Sequence, residues 1–186
     1  MTDLDLTRGL NPAEKDAMRQ ALAELAGQTG FAFDQVFDAL AEGQSLLEAL
    51  HLPKEVTDLL YAMAFARFNA GDVGTAQSLF LALTLIAPEI RDHWLGLGIC
   101  LRRLQEYETA QSAFLKAEAI APDDPAVLFH LTELTCQLRN WSVAQGYLNR
   151  FVALPETAAR LRLIPEMRKL ALAIEAQQQS QAKGRR

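Results

Sequence analysis

Ala76-Gln-Ser-Leu-Phe80, followed by Pro88, returns 34 residues later as Ala110-Gln-Ser-Ala-Phe114 followed by Pro122. A fainter third copy falls at the next 34-residue step, with Leu128, Leu131, Ala144 and Leu148. A period of this length, carrying helical spacing and small residues at fixed points, means short helix pairs that stack on one another. One pair cannot bury its apolar face alone, so the copies must share a continuous core. The fold class is therefore all-α.

The individual repeats support this. The first, from Thr57 to about Ile90, carries Leu60, Met63 and Ala64, breaks at Asn69-Ala-Gly-Asp72, and resumes with Ala76, Leu79, Phe80 and Leu83. In the second, Trp94, Leu97, Gly98 and Leu101 are followed by Ala110, Phe114, Ala117 and Pro122. Gly98 and Ala110 fall where two helices cross at close range, since larger side chains would hold the backbones apart. The third has Thr132 where glycine or alanine is usual, and Pro155-Glu156 near its end. This is the tetratricopeptide pattern, a solenoid of three helix-turn-helix repeats over residues 57–159.

Residues 1–56 do not follow the period and form a separate helical segment. Asn11-Pro12-Ala13-Glu14 reads as a helix start, with Met18, Leu22 and Leu25 as its apolar stripe up to Gly27 and Gly30. Phe33, Val36, Phe37 and Leu40 mark a second helix, and Ser45 to Leu50 a short turn or helix after Gly43. Residues 160–186 predict a capping helix from about Leu161 to Ala182, with Ile164, Leu170, Ala171 and Ile174 apolar. The run from Gln177 to Gln181 and the basic end beyond it bury nothing and are expected to fray.

Half the residues are apolar, only 22% are charged, and the mean hydropathy is +0.01. That excess implies either an exposed apolar groove or interface, or a well-filled helical core. The net charge of −5 is divided unevenly, with about −10 on residues 1–159 and +5 on residues 160–186. An acidic body repels phosphate backbones, so nucleic acid is not expected as a partner. The longest apolar run, Leu79 to Ala87, is half the length of a membrane helix, and stable membrane insertion is not expected. The N-terminus lacks the basic and then apolar pattern of a signal peptide. Cys100 and Cys136 suggest no disulfide framework, and a reducing cytoplasm is the natural compartment.

Chemistry is not written into this chain. His51, His93 and His130 are isolated, without metal-ligand spacing, and no catalytic residue, cofactor or metal is expected. His93 is read as a surface or groove residue, and the two cysteines as small buried hydrophobes. Gly96-Leu-Gly98 lies inside a helix, where its amides cannot cradle a phosphate.

The concave face of the stacked repeats is more informative. Positions 2, 5, 9 and 12 of each repeat point into it: Asp58, Tyr61, Phe65 and Phe68, then Asp92, Leu95, Ile99 and Arg102, then Ala126, Phe129, Glu133 and Cys136, with Arg103 at the rim. A strip dominated by aromatic and aliphatic side chains predicts an extended, apolar-anchored peptide rather than a clamped carboxylate. The competing reading packs Phe65 and Phe68 against the N-terminal helices as core. The N-terminal segment also holds more apolar side chains than one short element needs to cap a solenoid. Phe33, Val36, Phe37 and Leu40 are therefore candidates for a homodimer interface. Alternatively the helix around Met18 to Leu25 folds back over them.

The segment Leu59-Leu-Tyr-Ala-Met-Ala-Phe-Ala-Arg-Phe68, Asn69-Ala-Gly-Asp72, His93-Trp-Leu-Gly-Leu-Gly-Ile-Cys100 and Tyr107-Glu-Thr-Ala110, behind a helical preamble, resembles the class II chaperones of bacterial type III secretion, the SycD, LcrH and IpgC group. The resemblance covers roughly residues 35–155. It implies a cytoplasmic, ATP-independent chaperone that binds an extended segment of secreted hydrophobic translocator proteins in the groove and keeps them soluble. The groove aromatics of that group match Tyr61, Phe65 and Phe68, and its members commonly dimerise through the N-terminal helices. The basic, Gln-rich C-terminal end departs from the pattern. A general tetratricopeptide scaffold joining proteins in a secretion or pilus assembly is the alternative.

Overall fold

Three helix pairs recur with the period of the sequence, between a helical preamble and one long closing helix. The computed structural model describes residues 12–29, 33–42, 44–53 and 55–184, and every regular element among them is α-helical. The preamble consists of α1 (Pro12–Thr29), α2 (Phe33–Ala41) and α3 (Leu46–Ala49). The repeats follow as α4 (Glu55–Asn69) with α5 (Val73–Ile86), α6 (Arg91–Arg103) with α7 (Tyr107–Ile120), and α8 (Pro125–Gln137) with α9 (Trp141–Ala153). The closing helix is α10 (Ala158–Gly184).

Local chemistry sets these boundaries. Asp72 accepts from the Thr75 amide at 3.3 Å, and Asp124 accepts from Ala126 and Val127 at 2.9 and 3.0 Å, with Pro125 opening α8. Ser45 and Glu48 form a reciprocal capping box that starts α3 despite its single turn. Each repeat turns between its helices through one left-handed residue: Gly71 (φ 84°), Gln105 (φ 66°) and Arg139 (φ 58°), spaced 34 apart. Only the first is glycine, for which this region carries no Cβ penalty.

The core runs the length of the stack. Ala64, Ala76, Phe80, Leu83, Leu97, Leu101, Ala110, Phe114 and Leu131 are all buried in one cluster spanning the three repeats. Gly98 brings α6 against α7: a Cβ there would stand 2.5 Å from the Phe114 ring. Thr132, buried at the equivalent position of α8, turns its hydroxyl to the Leu128 carbonyl at 2.8 Å. A second cluster of Leu128, Ala144, Leu148, Phe151, Met167 and Ile174 joins the third repeat to α10. Burying a side chain of the size of Phe151 or Ile174 stabilises by about 1.5–3 kcal/mol, so α10 is firmly seated. Arg160 strengthens the joint, donating to the Phe151 and Val152 carbonyls at 3.1 and 2.9 Å at the end of α9.

Two expectations are corrected. His93 does not face the surface or the groove. It is 3% exposed, with Nδ1 within 3.2 Å of the Leu83 carbonyl and 3.0 Å of the Ala87 carbonyl, so Nδ1–H donates to the carbonyls at the end of α5. The glutamine run is helical rather than frayed, because α10 continues to Gly184 and Gln178 donates to Gln145 of α9 at 3.2 Å.

In the preamble, α1 packs on α2, with Arg19 paired to Asp38 at 2.7 Å, α2 packs on α3, and α3 touches α5. The readings of Asn11, Gly30, Phe31 and Gly43, and of the Glu14, Met18 and Leu25 side chains, lie outside the described residues.

Candidate peptide-binding groove

A spacing of four and then three residues puts Tyr61, Phe65 and Phe68 on one face of α4. Asp92, Leu95, Gly96 and Ile99 face them from α6, and Phe80 of α5 forms the floor. Together they enclose an open slot of about 110 Å³. Tyr61 meets Phe80 edge-on, with ring centroids 5.7 Å apart, a favourable aromatic geometry. Gly96 is essential to the floor, because a Cβ there would stand 2.3 Å from Phe80 Cε1. Phe65 is 54% exposed and Phe68 half-buried, with the Arg103 guanidinium 5.1 Å from the Phe68 ring centroid. Burial, and then the charge of Asp92, push the Tyr61 hydroxyl pKa up, so the phenol stays neutral.

One repeat further along, the lining changes character. Arg102 Nη1 pairs with Glu133 Oε1 at 3.0 Å, and the other Glu133 oxygen lies 3.4 Å from His130 Nδ1. Burial alone would raise the Glu133 pKa, but the His130 hydrogen bond and the Arg102 charge outweigh it and hold the carboxyl below its usual range. Arg102 Nε is buried without a hydrogen-bond partner. Phe129 is half-buried and edge-on to His130, which itself stacks on Phe114. Cys136 is half-buried beside Glu133, and burial and then that charge raise its pKa.

The main groove residues read from the sequence thus fall into two groups. Tyr61, Phe65, Phe68, Leu95 and Ile99 line one apolar slot, whereas Arg102, Phe129 and Glu133 lie about the polar junction of the second and third repeats. Leu95 is 8% exposed and serves as wall rather than free surface. Sequence reasoning missed two residues of the slot, Phe80 and Gly96. The sequence places Phe80 only on the second helix of its repeat. The signal was Gly96 itself, a second glycine two residues from Gly98 on a helix that needs only one for each crossing.

The slot is open to solvent on Phe65, and among the described residues α1, α2 and α3 make no substantial contact with α4. Among the described residues no group of three His, Cys, Asp or Glu side chains is placed to hold a metal ion. Of the residues read as a dimer interface, Leu40 is buried within the single chain and Val36 is half-buried. The side chains of Phe33 and Phe37 lie outside the described residues.

No protein-family model matches the chain. Among curated proteins, it is 25% identical over 105 residues to the chaperone protein SicA of Salmonella typhimurium, covering 56% of this chain and 62% of SicA. The chain therefore spans less than two thirds of that relative. Among solved structures, SycD of Yersinia enterocolitica in complex with a peptide of the translocator YopD matches with a TM-score of 0.63 and 20% identity, covering 68% of this chain and 98% of SycD. PcrH, a Pseudomonas aeruginosa protein, in complex with the chaperone binding region of PopD matches with a TM-score of 0.62 and 25% identity, covering 68% of this chain and 96% of PcrH. By sequence and by fold together, the chain matches the SycD-, LcrH- and PcrH-like translocator chaperones of type III secretion.

Proposed function

We propose that this chain is an ATP-independent chaperone of the bacterial cytoplasm. In this reading it holds an extended apolar segment of a secreted translocator protein along its concave face. The observation that carries this reading is the solvent-open aromatic slot of Tyr61, Phe65, Phe68 and Phe80, whose floor, Phe80, is packed in the core shared by the repeats. A preformed apolar slot costs little to order when an apolar side chain enters it. The matches to SycD with a translocator peptide and to PcrH with the chaperone binding region of PopD support the same reading. Covering a short apolar stretch keeps a membrane-active client from self-association and from premature insertion. No helix of the described residues is long and apolar enough to cross a membrane.

Co-expression with the secreted, apolar proteins encoded beside its gene tests the proposal. Such a client should become soluble and co-purify with the chain, and the Phe65→Ala variant should lose the complex. A client that stays insoluble with both forms would overturn the reading. A homodimer through Phe33, Val36 and Phe37 belongs to the same proposal. Light scattering on the full chain and on a chain lacking residues 1–30 tests it, and monomer mass for both would refute it.

A further inference from the structure

The other end of the solenoid carries a second apolar slot, on a different face and independent of the client groove. It lies between α9 and α10, has a volume of about 210 Å³, and is lined by Leu148, Phe151, Val152, Ile164, Met167 and Ala171, with Arg160 and Arg168 beside them. No residue of α8 contributes to it. The stacking explains why it exists. In the second and third repeats the first helix is covered by the second helix of its own pair, α7 on α6 and α9 on α8. α10 sits on the third repeat as the first helix of a fourth would, packed on α8 and α9, and no described element covers its remaining side.

That side is not built for water alone. Val152 and Leu172 are each 61% exposed, and Leu161 is 48% exposed. Leu161, Ile164, Pro165, Arg168, Ala171 and Leu172 follow one another at helical spacing, so they form a single strip beside the slot. Arg168 is the cation of this strip, and Glu175 follows seven residues later on the same face. Arg160 is engaged with backbone carbonyls, but Arg162 and Arg168 have no acidic partner among the described residues. The Lys169 charge is held by Glu166, and Glu175 is the remaining carboxylate on the helix.

We infer that the slot between α9 and α10 is a docking site for an amphipathic helix of a partner protein, with apolar side chains entering the slot and an acidic one beside Arg168. The occupant takes the place of the second helix of a fourth repeat. Helix-in-groove recognition needs these two elements, a row of apolar anchors and a charged edge that sets orientation.

A probe follows from the fold: a fluorescein-labelled, lactam-stapled peptide of the α7 sequence, residues 107–120, which is the acidic helix that covers α6. Anisotropy titration with the full chain should show saturable binding that weakens as salt is raised. Arg168→Glu and Ala171→Phe, the first reversing the charge and the second filling the slot, should each weaken binding at least tenfold. Phe65→Ala should leave it unchanged, which separates this site from the client groove. The same peptide with both glutamates replaced by lysine should bind at least tenfold more weakly. Absence of saturable binding up to about 200 μM, a weak-affinity limit, overturns the inference. So does equal binding by the slot variants, displacement of the peptide by anionic phospholipid vesicles, or a homodimer that Arg168→Glu dissociates, which would make the face a membrane or self-association surface.

Discussion

Replacing Gly98 by alanine asks whether the close crossing of α6 and α7 is set by sterics. The new Cβ would stand 2.5 Å from Phe114 Cδ1 and Cε1 and 3.0 Å from Cζ, against about 3.6 Å for ordinary contact. The Phe114 ring must therefore retreat by about 1 Å, yet it is fully buried and His130 stacks on it at 5.6 Å, nearly parallel. Overpacking of this kind costs about 1–3 kcal/mol, while alanine in a helix gains back about 1 kcal/mol over glycine. The control is Gly146, mid-helix in α9, where an added Cβ meets nothing within 4 Å and only the gain remains. Urea unfolding should therefore place Gly98→Ala about 2 kcal/mol below Gly146→Ala, with equal slopes. Equal stability of the two variants would refute the close-crossing argument, because both share the same helix-propensity gain.

Phe65→Ala should fold normally by circular dichroism, because the side chain is more than half exposed, yet weaken a client segment about 30-fold, as loss of about 2 kcal/mol at an aromatic anchor requires; unchanged affinity would remove Phe65 from the site. Glu133 has its pKa lowered in the folded state, so its contribution is present at neutral pH and lost as pH falls through that lowered value. Glu133→Gln should accordingly flatten the acid limb of the stability profile, and a profile parallel to the parent's would show the Arg102 and His130 contacts to be without consequence. Burial pushes the Cys100 thiol to about 11, so at pH 8 a disulfide reagent should titrate Cys136 first and Cys100 only on unfolding. Two equally fast thiols would contradict the packing around α6.

The 34-residue period made the three helix pairs legible, because each marker is a packing requirement repeated in chemically similar surroundings: Ala76 and Ala110 at crossings, Phe80 and Phe114 as fillers. The apolar slot was legible for the same reason, since concave positions follow from the register. What escaped the sequence depends on contacts between distant segments. His93 looks polar in isolation and becomes core only when the end of α5 leaves two carbonyls beside it. The glutamine run is helical because α10 lies along α9, where Gln178 finds Gln145, and no local propensity encodes that neighbour. Phe80 could be assigned to the second helix of its repeat but not to the slot, because its exposure to the groove depends on the glycine across from it.

Among the described residues, the helix that presents most of the aromatic slot is also the least supported of the six repeat helices. α4 rests mainly on α5, buries only Thr57 and Ala64, and leaves Leu59 and Met63 in water, whereas the opposite end of the stack is closed by the buried Met167 and Ile174 of α10. In a one-dimensional stack, opening begins where nearest-neighbour coupling is weakest. A segment lodged between α4 and α6 bridges the first two repeats and supplies the coupling that α4 lacks. For a client segment held there as proposed, occupancy and local melting would be two readings of one equilibrium: the segment would clamp the terminal repeat, and whatever pries α4 outward would release it.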